Sequence, residues 1–411
     1  MLARAATLLA HDEDWPGDPV VPPIYQTSLF TFRSYAEMER TFSGEVKRPT
    51  YSRGDNPTVA AFESRVAALE GAEAARACAS GMAAISATVL TLVASGERIV
   101  ATRHVYSDAY RLFERLLPRL GIRVEYVDCA DPDAVAAALP GARLLYLETP
   151  SSMVFELHEL PRLAALARRH GVLTVADNSW ATPLFQQPIR HGVDLVVHSA
   201  SKYLGGHSDV VAGVVAGSAE LIATINQRGH PLLGGKLAPI EAWLLLRGLR
   251  TLPLRMTRHE ESGLFIARHL QAHPAVLRVM HPAFANHPGG ATLAGYSGLF
   301  SFEVDGGIDV PAFADALRLF RLGVSWGGHE SLVVPALASL RQTPEVNALA
   351  RFGVPPGTIR LHVGLEDPAA LWADLEQALA AGAEAARRGT CENKTGENKT
   401  GQERSGRCAE D

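Results

Sequence analysis

A carboxylate and a lysine follow two hydrophobic segments of this sequence that have the composition of buried strands. Asp177, with Asn178 after it, comes directly after Val172–Ala176, and Lys202 comes shortly after Leu195–His198. Most charged side chains are solvated or form surface ion pairs, and that interpretation is the better one for either residue taken alone. At the ends of two neighbouring strands, however, the two groups can bind and activate a ligand together.

A second group of residues has the composition of a phosphate site. Gly81 and Met82 begin an apolar helix that is predicted to end at Ala94. Small residues at this position allow a phosphate to approach the free backbone N–H groups at the positive end of the helix. The alternative is an ordinary helix start with Ser80 as its N-cap, and it is preferred if the segment is considered by itself.

Three further side chains are suited to the same ligand. Tyr51 and Arg53 offer a hydroxyl and a guanidinium for a phosphate, although both can equally belong to a surface turn. Tyr106 can stack on an aromatic ring, or it can be a packed loop residue. Together with Asp177 and Lys202 they match the needs of pyridoxal 5'-phosphate (PLP), whose Schiff base forms on a lysine and whose pyridine nitrogen is held protonated by a carboxylate.

The elements that must position these residues alternate between strand and helix patterns, which predicts an α/β fold with a mostly parallel sheet. The strands are predicted at 98–101, 124–127, 143–147, 172–176, 195–198 and 210–215, with helices at 60–69, 81–94, 109–120, 132–138 and 160–169. Ligands of such sheets bind beyond the carboxyl ends of the strands, where Asp177 and Lys202 lie.

The pattern divides the chain into four parts. Residues 1–50 are predicted to be an N-terminal arm that packs on another subunit, and residues 51–245 the cofactor-binding domain. A helix at 240–249 and strands at 298–304 and 359–363 predict a smaller α/β domain over 246–388. Residues 389–411 repeat the sequence ENKTG and contain few apolar residues, which predicts a disordered tail.

Composition excludes several other classes of protein. Of the 411 residues 47% are hydrophobic and 20% charged, and the net charge of −5 is unlike that of a nucleic-acid-binding protein. The four cysteines have no metal-ligand spacing, so no metal site is expected. The uncharged stretch 77–96 is as long as a membrane span but contains many hydroxyl residues, and we interpret it as a buried helix. We expect a cytoplasmic protein.

The chain resembles the Cys/Met metabolism family of PLP-dependent enzymes, the trans-sulfuration enzymes, from Pro22 to about Asp367. That family includes cystathionine β-lyase, cystathionine γ-lyase, cystathionine γ-synthase and methionine γ-lyase. Seven motifs in the family order carry the resemblance: YSRGDNPT (51–58), SGM (80–82), DN (177–178), SASKYLGGHSD (199–209), LRGLRTL (246–252), SWGGHES (325–331) and IRLHVGLE (359–366). It implies the fold-type I architecture of PLP-dependent transferases.

The resemblance also implies a role for each candidate residue. Lys202 would form the Schiff base, Asp177 would bind the pyridine nitrogen and Tyr106 would stack on the ring. The residues expected to bind the phosphate are Gly81, Met82, Ser199 and Ser201. Tyr51 and Arg53 would reach the cofactor of a neighbouring subunit, which implies a homotetramer built from dimers with shared active sites. Arg360 and the backbone at Ser325 would bind the α-carboxylate of a sulfur amino acid.

The motifs also bear on the reaction. In several γ-acting relatives a glutamate precedes the serine that is Ser325 here, whereas this chain has Val324. Trp326, Trp180 and the segment Glu148–Glu156 are similar to bacterial cystathionine β-lyases. The segment 51–58 is closer to the γ-acting enzymes. We therefore expect β-elimination of cystathionine, with cystathionine γ-synthase or γ-lyase activity as the alternative.

Two other classes of function remain. A PLP-binding paralogue without turnover is the remote alternative, and the presence of Lys202, Asp177, Arg360 and Tyr106 disfavours it. A generic aminotransferase is compatible with the fold, because one fold serves many reactions, but the seven motifs disfavour it.

Overall fold

The computed structural model describes residues 2–11 and 15–404, and the side chains of residues 3–11 and 15–388. The helices in this part of the chain are α1 (Leu2–Ala10), α2 (Tyr35–Phe42), α3 (Pro57–Glu70), α4 (Gly81–Leu92), α5 (Ser107–Arg111), α6 (Pro132–Ala138), α7 (Leu160–Arg169), α8 (Thr182–Phe185), α9 (Ala219–Arg228), α10 (His230–Leu233), α11 (Pro239–Arg250), α12 (Leu252–Ala272), α13 (Val310–Ala316), α14 (Ala336–Ser339), α15 (Ala348–Arg351) and α16 (Pro368–Arg404). The strands are β1 (Ala74–Cys78), β2 (Arg98–Thr102), β3 (Arg123–Val127), β4 (Leu144–Glu148), β5 (Leu173–Asp177), β6 (Leu195–His198), β7 (Gly213–Gly217), β8 (Val276–Met280), β9 (Leu299–Val304), β10 (Arg321–Leu322), β11 (Leu332–Pro335) and β12 (Thr358–His362).

Seven strands form the large sheet, in the order β1-β7-β6-β5-β4-β2-β3. Strands β2 to β6 are parallel to one another, and β7 is antiparallel to both β1 and β6. The predicted α/β fold with a mostly parallel sheet is therefore confirmed. The carboxyl ends of β4, β5 and β6 meet at one edge, where Glu148 is the register partner of Asp177.

Helices cover both faces of this sheet because successive residues of a strand point to opposite sides. In β2, Ile99 and Ala101 join the apolar core formed with α4, α5 and α9, whereas Val100 joins the core formed with α6 and α7. A parallel sheet must be buried on both faces, and the continuous apolar strands of this chain satisfy that requirement.

The second sheet contains five strands in the order β10-β11-β12-β9-β8. Phe300 and Phe302 of β9 pack with Phe313 of α13 and Leu375 of α16 in its core. This smaller α/β unit was predicted from the sequence. Strand β12 carries Arg360 towards the large sheet.

The junction between the two sheets is formed by α11 and α12. Leu249 and Leu252, both in the motif at 246–252, are buried in the core of the large-sheet unit. Arg255 of α12 is 6% exposed and donates hydrogen bonds to the carbonyl oxygens of Tyr203 and Gly248, both at 2.7 Å. The domain boundary expected after residue 245 falls inside α11, whose buried leucines pack with α3 of the large domain.

Helices lie near both ends of the described chain. Helix α1 packs Ala5 and Leu9 into the large core, so the arm lies between this helix and residue 50. The arm itself exposes Val20, Tyr35 and Phe42, which are 90%, 79% and 67% accessible. Helix α16 runs to Arg404, within the segment 389–411 for which a disordered tail is predicted, and residues 405–411 lie outside the described part.

The uncharged segment 77–96 contains the end of β1 and the whole of α4 in the large domain, in agreement with the prediction that it is a buried helix. A search of the described helices finds none with both the length and the apolar character needed to cross a membrane.

Candidate active site

A cavity of about 280 Å³ opens at the carboxyl edge of the large sheet, and residues of both domains line it. That volume is close to the lower end of the range of small-molecule sites, about 300–1,000 Å³. Nine of the predicted site residues line this cavity: Gly81, Met82, Tyr106, Asp177, Ser199, Ser201, Lys202, Ser325 and Arg360. Tyr51 and Arg53 are not among its lining residues.

Lys202 lies in the turn that follows β6, and its ammonium group projects into the cavity. Its Nζ donates a hydrogen bond of 2.6 Å to Ser325 Oγ and lies 5.3 Å from the centre of the Trp326 ring. Burial, and next the charge of Arg360, lower the pKa of Lys202 to about 8, whereas Asp177 opposes the shift. A lysine in this state supplies an appreciable neutral fraction near neutral pH, as an amine that attacks a carbonyl or takes a proton requires.

Asp177 ends β5 at the floor of the cavity. Its Oδ1 accepts the backbone N–H of Ser179 at 3.0 Å. Burial raises the pKa of Asp177, and hydrogen bonds from Ser179 and the charges of His198 and Lys202 oppose this effect. A buried carboxylate that is only partly compensated can hold a cationic ligand group, such as a protonated pyridine nitrogen.

A cradle for an anion lies at the start of α4. The N–H groups of Gly81 and Met82 belong to the first helical turn, so they have no acceptor within the helix. Gly81 is required there, because a Cβ on this residue would lie 2.9 Å from Cβ of Ser199. The hydroxyl of Ser201 exchanges hydrogen bonds with the backbone of Ala212, which fixes the turn that carries it. These residues fit the phosphate of PLP.

Tyr106 follows β2 at the mouth of the cavity. Its backbone N–H donates to Glu148 Oε2 at 2.7 Å, and its hydroxyl donates to Asp108 Oδ2 at 2.8 Å. Burial, and next the hydrogen bond to Asp108, raise the pKa of Tyr106, so the phenol stays protonated. The ring is therefore held at both ends and can act as a stacking surface.

Arg360 on β12 brings a second cation into the cavity. Its Nη2 donates to the carbonyl oxygen of Val324 at 3.2 Å, and burial lowers its pKa to about 10. None of the ion pairs among the described side chains involves Arg360. A partly buried guanidinium without an acidic partner can bind the carboxylate of a small ligand through two parallel hydrogen bonds.

Tyr51 and Arg53 lie apart from this cavity, in a recess that also includes Lys236. The guanidinium of Arg53 lies 5.0 Å from the centre of the Tyr51 ring, and the side chain of Tyr51 is 47% exposed. Their backbone is fixed by the following turn, in which Arg76 Nη1 donates to the carbonyl oxygen of Gly54 at 2.7 Å. The guanidinium of Arg53 and the hydroxyl of Tyr51 therefore face outward, beside the exposed arm.

Sequence reasoning missed two acidic residues near Asp177. Glu148 lines the cavity at the end of β4, and the rule that selected Asp177 from its strand end would also have selected this residue. Glu70 ends α3 and accepts hydrogen bonds from His198 Nε2 at 2.6 Å and from Asn178 Nδ2 at 3.0 Å. His198 is the buried last residue of β6, and this carboxylate binds its Nε2, whereas its Nδ1 has no partner among the described residues.

Comparisons with known proteins agree with this geometry. The family model described as "Cys/Met metabolism PLP-dependent enzyme" matches residues 6–380. An L-methionine gamma-lyase of Pseudomonas putida is 39% identical over 91% of this chain and 96% of its own length. A cystathionine beta-lyase of Lactococcus lactis subsp. cremoris is 38% identical over 87% of this chain and 93% of its own length.

A solved structure has the same architecture. The crystal structure of cystathionine gamma synthase from Xanthomonas oryzae pv. oryzae, in complex with aminoacrylate and cysteine, superposes with a TM-score of 0.86 at 34% identity. It covers 94% of this chain, and 99% of that chain is matched. The relatives share PLP chemistry on sulfur amino acids and differ in the bond that they break or form.

Proposed function

The chain belongs to the Cys/Met metabolism family of PLP-dependent enzymes, and we propose that within this family it cleaves cystathionine by β-elimination. The Cβ–S bond breaks, and cystathionine and water give homocysteine, pyruvate and ammonia. PLP is the cofactor of the family, and the residues of the cavity fit it. Membership of the family by itself implies a PLP-dependent enzyme of sulfur amino acid metabolism.

The bound cofactor withdraws electrons from the Cα atom of an amino acid, and the protein determines which groups act on that atom. Lys202 would hold the cofactor and would take the Cα proton of the substrate. Asp177 would bind the pyridine nitrogen and keep it protonated. Arg360 would bind the α-carboxylate and so orient the amino acid in the cavity. The sulfur leaves from Cβ with a proton.

The groups beside Lys202 carry the choice of β-elimination. A γ-reaction must remove a Cβ proton as well as the Cα proton, so it needs additional base chemistry. The loop that faces Lys202 presents Ser325 between two apolar side chains, Val324 and Trp326. The acidic residues that line the cavity are Glu148 and Asp177, at the floor of the large sheet rather than on this loop. Lys202 is therefore the base suited to the substrate, and β-elimination needs only a single base, because it removes only the Cα proton.

γ-Elimination or γ-replacement is the second candidate. It is favoured by the sequence identity of 39% with the methionine gamma-lyase of Pseudomonas putida and of 34% with the cystathionine gamma synthase of Xanthomonas oryzae pv. oryzae. Both relatives align along nearly the whole chain, so the shared fold does not distinguish the reactions.

Product analysis with L-cystathionine separates the candidates. We expect pyruvate and homocysteine. Predominant 2-oxobutyrate and cysteine would make the protein a γ-lyase, and formation of cystathionine from an acylated homoserine plus cysteine would make it a γ-synthase. The PLP-loaded Lys202→Ala variant is the matched control for background reactions of free PLP.

We also propose that two subunits share each active site and that pairs of them assemble into a homotetramer. Support comes from the position of Tyr51 and Arg53 outside the Lys202 cavity of their own chain, and from the exposed apolar residues of the arm beside them. Donors of this kind are suited to a phosphate, and a partner subunit would bring them to its cofactor.

A further inference from the structure

Three segments of the active site meet behind the cavity wall, around the imidazole of His362. This residue ends β12, two positions after Arg360, and is 1% exposed. Its Nε2 lies 3.0 Å from the backbone nitrogen of Gly327 and 3.1 Å from the carbonyl oxygen of Gly328. The hydroxyl of Tyr203, the residue after Lys202, lies 3.5 Å from its Nδ1. One buried ring therefore contacts the lysine turn and the Ser325 loop from the strand that carries Arg360.

The Ser325 loop passes directly over the backbone of the lysine turn. Gly327 adopts a positive φ of 88°, and a Cβ on it would lie 2.7 Å from the nitrogen of Tyr203. Two residues earlier in the loop, Ser325 Oγ accepts the 2.6 Å hydrogen bond from Lys202. The place of Ser325 relative to Lys202 thus depends on where Gly327 is held.

We propose that His362 is a positioning residue that holds the loop Ser325–Gly328 against Lys202 through its Nε2. Either tautomer of the neutral imidazole binds the loop, because an unprotonated Nε2 accepts the N–H of Gly327 and a protonated Nε2 donates to the carbonyl oxygen of Gly328. Burial, and next the charge of His259, hold the pKa of His362 well below its usual range, so the ring stays neutral at physiological pH. Without this ring a buried backbone group of Gly327 or Gly328 loses its hydrogen-bond partner, which is costly.

The alternative is that His362 only fills space in the core, and a substitution of the neighbouring His259 tests this alternative. His259 is 0% exposed, its ring lies 5.2 Å from that of His362, and both rings pack on Tyr203. Its Nδ1 lies 2.9 Å from the carbonyl oxygen of Val363, so its hydrogen bond does not involve the Ser325 loop. His259→Leu therefore matches His362→Leu in burial, size and aromatic neighbours but leaves Gly327 bound.

Amide hydrogen exchange of the PLP-loaded, full-length protein measures the proposed contact. In His362→Leu we expect the segment 323–331 to exchange about tenfold faster or more, as expected from loss of one buried hydrogen bond. His362→Gln, whose amide oxygen can replace Nε2, should restore protection. His362→Asn, which is too short, should not, and it serves if the leucine variant does not fold. The proposal is overturned if His362→Leu and His362→Asn both exchange at the wild-type rate, or if His259→Leu accelerates exchange of the segment 323–331 equally.

A double-mutant cycle with Ser325→Ala provides the functional measurement. If His362 acts through the loop, Ser325→Ala should lower kcat/KM much less in the His362→Leu background than in the wild type, whereas it should lower it fully in the His259→Leu background. Equal losses in all three backgrounds would overturn the proposal. The exchange measurement needs no turnover, so it holds whether the reaction is a β- or a γ-elimination, and failure of one proposal is distinguishable from failure of the other.

Discussion

The ammonium of Lys202 and the hydroxyl of Ser325 come from different domains, 123 positions apart in the chain, and form a hydrogen bond of 2.6 Å. Removing this contact with Ser325→Ala should lower kcat/KM about 10- to 100-fold, as expected for a hydrogen bond to a charged group. Steady-state kinetics with the sulfur amino acid that the protein cleaves tests this expectation. Ser218→Ala removes an N-cap of α9 far from the cavity and should lower stability without changing kcat/KM.

Lys202→Ala should abolish covalent attachment of PLP and all turnover while leaving the fold intact. The chain has only five lysines, so borohydride reduction followed by peptide mass spectrometry can examine each of them. We expect the pyridoxyl group on the Lys202 peptide of the wild type and on no peptide of the variant. Lys236→Ala, which changes an exposed lysine, should keep the Lys202 adduct. A reduced adduct at another lysine of the Lys202 variant would disprove the assignment.

Asp177→Asn should keep PLP bound but slow the removal of the Cα proton by several orders of magnitude. A neutral amide cannot keep the pyridine nitrogen protonated, so the electrons of the Cα–H bond lose their acceptor. Exchange of the Cα proton with deuterated solvent, followed by NMR, measures this step directly. Asp128→Asn, which removes a half-exposed partner of Arg103, is the control. Wild-type exchange in Asp177→Asn would contradict the role.

Hybrids of two inactive subunits test the shared site. An Arg53→Ala subunit and a Lys202→Ala subunit, co-expressed with different tags, should recover part of the wild-type activity, because one site of each hybrid pair then has both residues intact. Hybrids in which both subunits carry Lys202→Ala should stay inactive. Lack of recovery in verified mixed hybrids would mean that each subunit builds its own site.

Glu63 should make stability depend on pH near neutrality. It accepts the backbone N–H of Ala77 at 2.8 Å, lies 3.4 Å from Arg76, and burial raises its pKa from 4.5 to about 7. The native state therefore holds a proton that the unfolded state releases. Its contribution is complete below pH 4.5 and is lost as the pH rises through 7, by about 3 kcal/mol at most.

The matched variants for this effect are Glu63→Gln and Glu376→Gln. Glu63→Gln keeps an acceptor for Ala77 but cannot ionise, so its free energy of unfolding should rise relative to the wild type between pH 5 and pH 8. Glu376 is exposed on α16, and its substitution should cause no such trend. Urea unfolding at fixed protein concentration measures both, and parallel pH profiles for wild type and Glu63→Gln would refute the assignment.

Local rules predicted the part of the site that lies at strand ends. Asp177 and Lys202 were found because the chain turns from buried strand to polar residues at the edge where parallel strands terminate. Glu148 obeys the same rule and was missed because only its motif was considered. Strand β1 was missed because Ala74–Cys78 is short and contains Arg76, whose charge is compensated by Glu63 and Asp55.

Contacts between distant segments could not be predicted in this way. The pairing of His198 with Glu70 joins positions 128 residues apart, and no pattern around either residue indicates the other. The same holds for His362 and Gly327, whose contact depends on how β12 packs beside the Ser325 loop. The family motifs contain His362 and Gly327, and one of them begins directly after His198, whereas Glu70 lies outside them, and only the folded chain assigns the partners.

The three-way contact of Arg255 has a consequence for how this protein can be divided. The guanidinium stands on α12, yet it fixes the carbonyl of Tyr203 in the lysine turn and, through Thr251 and Gly248, the end of α11. A fragment that ends after α11 would keep the whole large sheet but lose the group that sets the turn after β6. The two sheets are therefore not interchangeable modules: recombining either one with a homologue's other half must preserve this arginine and its three oxygen acceptors to keep Lys202 in place.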